Sequence, residues 1–151
     1  MIDKNTLTSY EIISALPYGP PFLFVDDIEY VDPKKIKGKY TFKTDELFYK
    51  GHFINNNSIT PGVILIETLG QIGFVSFGVY LLNLKDREFH PFFSDVRADF
   101  CEKVLPGETV WVESELVFLR AGYLRCNAVM RNKKEQIVIK GTGTCKFVIY
   151  E

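Results

Sequence analysis

The chain has 151 residues, 46% hydrophobic and 25% charged, with a formal net charge of −1, which suits one domain (residues 1–151) with a sizeable core. That balance excludes the strongly basic surface that nucleic-acid binding requires. No internal repeat or low-complexity tract appears, and the opening MIDKNTLTSYEII lacks a basic stretch followed by an apolar one, so a cytoplasmic protein is expected.

The stretch TSYEIISALPYGPPFLFVDDI opens with a short helix. Thr8 or Ser9 can cap it, with Glu11 or Ile12 in its first turn, and Pro17, Gly19, Pro20 and Pro21 end it. FLFVDDIEYVDPKKIKGKYTF predicts a hairpin, two apolar runs around the turn DPKKIKG. A long helix follows, roughly residues 61–84, with Pro61 in the first turn, where its missing N–H had no partner to lose. The run from Ile59 to Leu84 is long enough to cross a bilayer. Glu67 and Gln71 interrupt it, however, and Asn83 and Lys85 follow, so a buried helix is expected and no membrane. Beyond it the periodicity switches to two. FFSDVRADF, TVWVESELVFLR, YLRCNAVMRN and QIVIKGTGTCKFVIY are four strands, separated by the turns LPGE, AG and NKKE.

One helix apolar on nearly every face, with about six strands, points to an α+β fold in which an antiparallel sheet curls around the helix. One sheet covers only one side of a helix, so a second subunit is expected on the other. The three cysteines, Cys101, Cys126 and Cys145, lack metal spacing and read as reduced core residues, a disulfide between two of them being the alternative; no metal site is expected. Asp26 and Asp27 suit solvated or capping roles. His90, before Pro91, reads as a surface residue without a task.

The segment GHFINNNSITPGVILIETLGQ is different in kind. His52 stands in a polar loop, and fifteen residues later Glu67 stands alone in the most hydrophobic part of the chain. A carboxyl in apolar surroundings favours its protonated form, which suits a general acid. An imidazole ordinarily titrates near neutrality, at about 6.5, which suits a base. Gly62 lies at the helix N-terminus, where unpaired N–H groups and the positive end of the dipole can hold a carbonyl oxygen as it gains charge. Gln71, one turn past Glu67, can orient the carboxyl. Base, acid and oxyanion donor together suit the loss of water from a β-hydroxy carbonyl compound, with the apolar helix beside a slot for an acyl chain. Taken singly, His52 or Glu67 could instead be a hydrogen-bonded structural residue.

GHF…PGVILIETLGQ resembles the active-site signature of the β-hydroxyacyl-(acyl-carrier-protein) dehydratases, proteins of the hot-dog fold. LPYGPPFLFVDDI and VLPGETVWV resemble further segments of that family, so the likeness spans nearly the whole chain. The resemblance implies His52 as the catalytic histidine, Glu67 as the catalytic carboxylate and Gly62 as the amide donor. It also implies no cofactor, an acyl carrier protein as partner, and a homodimer or an assembly of dimers with sites shared between subunits. Glu at this helix position resembles the dehydratase-only branch rather than the dehydratase-isomerases, which carry Asp. The sequence departs from the family in four places. Ile54 replaces a proline, NNNSIT supplies no second one, the interval from His52 to Glu67 is one residue longer, and Tyr18-Gly19 stand where His-Arg is common. Fatty-acid synthesis and polyketide-like or aryl-polyene pathways both use such dehydratases. A hot-dog acyl thioesterase and a non-catalytic acyl-binding or assembly subunit are the alternatives. Because acyl carriers are acidic, Arg97, Lys103, Arg120 and Arg125 are docking candidates.

Overall fold

A computed structural model describes residues 6–52 and 58–151. The first helix, α1 (Ser9–Ala15), has Thr8 as its N-cap. Thr8 Oγ1 accepts the Glu11 N–H while the Glu11 carboxylate accepts the Thr8 N–H, a reciprocal cap that explains why the helix starts there. Two strands follow, β1 (Asp27–Val31) and β2 (Lys35–Thr41), then a 3₁₀ turn at Leu47–Lys50 that the sequence pattern does not signal. The hairpin is shorter than its apolar runs suggest. Its turn is residues 32–34, and residues 22–26 lie outside the strands, with Phe24 and Val25 in the core.

The long helix runs from Gly62 to Leu82. It begins as α2 (Gly62–Gly70), passes through one π-helical turn (Gln71–Val75), and ends as α3 (Ser76–Leu82). The π turn is marked by the Ser76 N–H donating to the Gln71 carbonyl, with Ser76 Oγ donating to the same oxygen at 2.6 Å. Asn83 stops the helix in a left-handed conformation with φ 51°. The helix therefore starts one residue later and ends two residues earlier than its pattern indicates.

Strands β3 (Glu88–Phe100), β4 (Thr109–Arg120), β5 (Tyr123–Asn132) and β6 (Ile137–Tyr150) complete one antiparallel six-stranded sheet, in the order β1-β2-β4-β5-β6-β3. The boundaries of β4 and β5 match the sequence expectation because turn residues punctuate them. Gly107 and Gly122 adopt φ values of 89° and 80°, which few other residues tolerate. The sheet curls around the helix as expected. By length and composition the helix could cross a membrane, but 72% of its most apolar window is buried inside this fold. Close approach is achieved at glycines: a methyl group at Gly78 would lie 2.0 Å from the Phe147 ring, and one at Gly70 would lie 2.7 Å from Phe93. Cys126 and Cys145 are buried and free, whereas Cys101 is exposed, contrary to its reading as a core residue, because it lies just past the end of β3. Asp26 and Asp27 tie the hairpin down, accepting from Thr41 N at 2.7 Å and Ser9 Oγ at 2.7 Å. His90 is exposed on β3, 3.1 Å from the Tyr150 hydroxyl.

Candidate active site

Glu67 is half-buried in the second turn of the long helix, and its carboxyl is held on one side. Gln71 Nε2 donates to Glu67 Oε1 at 3.0 Å. The same amide donates to the Phe22 carbonyl at 3.1 Å, and its oxygen accepts the Phe24 N–H at 2.8 Å. Gln71 is fully buried, and every one of these contacts fixes which end of its amide faces Glu67. The segment before β1 is thus held to the helix through backbone groups, a role that side-chain patterns cannot reveal.

Glu67 opens onto a cavity of about 240 Å³ lined by Tyr18, Glu67, Gly70, Gln71, Val75, Pro91, Phe93 and Cys145. Its walls mix polar groups of Tyr18, Glu67 and Gln71 with the apolar Val75, Pro91 and Phe93. Phe93 lies on Gly70 and stacks edge-on with Phe74 at 5.1 Å between centroids. Burial raises the Tyr18 hydroxyl well above its ordinary range, and the Glu67 charge adds to that. Burial pushes the Cys145 thiol up to about 12. Both groups are therefore protonated across the physiological range. A roomier groove of about 510 Å³ lies at the turns around Lys103, Lys133 and Lys134, away from this chemistry.

The approach to the helix is anchored by Thr60. Its N–H donates to the Val104 carbonyl at 2.8 Å, and its hydroxyl lies 2.6 Å from that of Tyr49. Gly62 is the first residue of α2, and no side chain caps the turn, so the first N–H groups have no intrahelical acceptor. His52 lies upstream, with Nδ1 2.8 Å from the Ile59 carbonyl. A carbonyl can only accept, so in the neutral ring Nδ1 carries the proton and Nε2 bears the lone pair. His52 is not among the walls of the Glu67 cavity. One protomer thus joins Glu67 and Gln71 by a hydrogen bond. Residues 53–57, which include Ile54 and the asparagines of the longer loop, lie outside the described residues.

The four cations proposed for docking do not form one patch. Arg125 pairs with Asp95 at 3.3 Å near the β4–β5 turn, and Arg120 lies over Phe118. Lys103 lies with Lys133 and Lys134 at the opposite end of β5, on the order of 30 Å away at the rise of an extended strand. Residues that sequence reasoning overlooked are Tyr49 and Thr60, which anchor the helix start, and Phe93, Pro91 and Cys145, which wall the cavity. Their alternation marks them only as core.

A FabA-like domain model matches residues 16–146. A 3-hydroxyacyl-[acyl-carrier-protein] dehydratase FabZ of Caldicellulosiruptor bescii is 33% identical over 121 residues, covering 79% of this chain and 84% of that protein. The FabZ of Enterococcus faecalis is 36% identical over 118 residues, covering 76% and 80%. Among solved structures, a chain of the dehydratase heterocomplex ApeI:P from Xenorhabdus doucetiae superposes with a TM-score of 0.73 at 14% identity, covering 93% of this chain and 91% of that one. A Haemophilus influenzae thioesterase superposes with a TM-score of 0.67 at 11% identity, covering 99% and 96%. These two likenesses speak for the fold alone, the hot-dog arrangement of a sheet around one helix. The match over most of the chain, together with relatives above 30% identity, makes this protein a member of the FabA-like family.

Proposed function

We propose that the protein removes water from a β-hydroxyacyl thioester carried on an acyl carrier protein, giving the trans-2-enoyl thioester. The observation that carries this reading is the Glu67 carboxyl, held by Gln71 at the wall of a cavity beside the central helix. The dehydratase relatives supply the substrate class. In this reading Nε2 of His52 takes the proton from the α-carbon. The Gly62 N–H holds the thioester oxygen as charge gathers there, at the positive end of the helix dipole. The C–O bond to the β-carbon breaks as Glu67 gives its proton to the departing oxygen, so water and the enoyl product leave together. His52 then carries one proton more and Glu67 one fewer, and solvent restores both. The thioester itself acidifies the α-proton, so this chemistry calls on no metal or organic cofactor.

We further propose a homodimer in which His52 of one subunit faces Glu67 of the other. That His52 is not among the walls of the Glu67 cavity in one protomer supports this. So does β3, an edge strand of 13 residues that pairs only with β6. Phe92 and Phe100 on that strand are 54% and 52% exposed, and Val63 at the helix start is 73% exposed. A long edge with unpaired backbone groups and exposed Phe92, Val96 and Phe100 is a liability unless something covers it, and pairing with its own copy would cover it. Cytoplasmic residence agrees with three free thiols. The reaction is tested with a purified β-hydroxyacyl carrier substrate, following enoyl absorbance and free thiol together. Enoyl formation without thiol release supports the reading; thiol release without enoyl formation would replace dehydration with thioester cleavage.

A further inference from the structure

Tyr18 is the remaining polar group of the Glu67 cavity that the chemistry above leaves unused. It lies between α1 and β1, in the segment that Gln71 fastens to the helix through Phe22 and Phe24. Its side chain lines the cavity together with Glu67, Gly70 and Gln71. Among the described residues its hydroxyl makes no hydrogen bond, and protein does not fully enclose it. A hydroxyl that no protein group engages and that protein does not seal off can exchange its water for a ligand atom. A phenol without a protein partner, on the wall of a cavity that also holds a reactive carboxyl, suits a bond to whatever occupies that cavity.

We infer that Tyr18 is a substrate-contacting residue whose hydroxyl donates a hydrogen bond to the β-oxygen of the β-hydroxyacyl group, beside Glu67. The inference rests on the dehydratase reading and deepens it. Glu67 delivers the proton that turns the β-hydroxyl into water, and Tyr18 holds that oxygen in line with the carboxyl while the C–O bond lengthens. Tyr18 transfers no proton. Its hydroxyl stays protonated because burial opposes ionisation, so it serves as a donor throughout. The enoyl product has no β-oxygen, so the contact is lost on turnover. Tyr18 thus discriminates substrate from product at the position where the two differ, much as a site built around a substrate hydroxyl discriminates against ligands that lack one.

The test is Tyr18→Phe, which removes one oxygen and no protein hydrogen bond, so its melting temperature should match or exceed that of the wild type. Dehydration kcat/KM should fall roughly tenfold or more, the scale of losing one bond to a reacting oxygen. Inhibition by the enoyl thioester should change by less than about twofold, because that ligand lacks the bonded atom. A general disturbance of the slot would weaken both ligands equally, and that result overturns the inference. So does a variant with wild-type dehydration. If the wild-type protein itself forms no enoyl product, the dehydratase reading falls and takes this role with it; an active wild type with an indifferent Tyr18→Phe removes only the role of Tyr18.

Discussion

Gln71 Nε2 lies 3.0 Å from Glu67 Oε1, while the Phe22 carbonyl and the Phe24 N–H grip the other faces of the same amide. Stability and activity are therefore joined in one side chain. Gln71→Leu should cost about 1–3 kcal/mol, since it strands a buried N–H and a buried carbonyl, and it should lower turnover because Glu67 loses its orientation. Gln71→Glu should do worse in activity, placing an acceptor against both Glu67 and the Phe22 carbonyl. Thermal melts and kcat together check this. A variant that loses stability but keeps full turnover would separate the two roles.

His52→Ala and Glu67→Gln should each reduce dehydration by about 10² to 10⁴-fold, the contribution expected of positioned acid–base groups. Both side chains are only half-buried, so the melting temperature should move little. Near-normal turnover in either variant would remove that residue from the mechanism.

Mixing the two inactive variants addresses the shared site directly. If His52 and Glu67 come from different subunits, half the dimers formed on exchange are mixed, and each carries one intact pair. Activity should recover to roughly a quarter of wild type at equal mixing, as two-fold symmetry requires. Confirmed exchange without recovery would place both residues in one protomer's site.

The buried thiols predict behaviour in alkali. Cys126 and Cys145 are raised by burial to about 11 and about 12, whereas an exposed thiol ionises at about 8.5. As pH rises, the unfolded chain releases these protons first. The stability they contribute is complete below about pH 8.5 and is lost as pH climbs towards the folded values, each thiol eroding about 1.4 kcal/mol per pH unit in that window. Melting temperatures should fall from about pH 8.5 upward, and a Cys126→Ala/Cys145→Ala double variant should show a shallower slope. At pH 8 the native protein should react with a thiol reagent at exposed Cys101 alone, the other two cysteines responding only after unfolding.

Much of this molecule is legible in its sequence where the signal is local. Thr8 and Glu11 are three residues apart and cap each other, so α1 is readable. Turns with glycine at positive φ delimit β4 and β5. Pro91 obscures the start of β3, because proline usually breaks strands, yet an edge strand tolerates it. The apolar stretch around Phe24 passes for a strand, but its backbone is claimed by Gln71, 47 residues away. His52, Gly62 and Glu67 stand out by residue type and spacing. The cavity beside Glu67 does not, since Phe93 and Cys145 reach it from β3 and β6 only after the sheet has curled.

The π turn resets the angular phase of the central helix. At the α-helical period of about 100° per residue, Gly70 and Gly78 would diverge by about 80°; one inserted residue reduces that to about 20°. The two glycines consequently share a stripe, and against it lie Phe93 and Phe147, one ring from each strand of the adjoining β3–β6 pair. Deleting a single residue between Gln71 and Val75 would restore a regular helix and rotate one glycine away from its ring. The surplus residue acts as a clutch between the half of the helix that carries Glu67 and the half that serves only as an axle for the sheet.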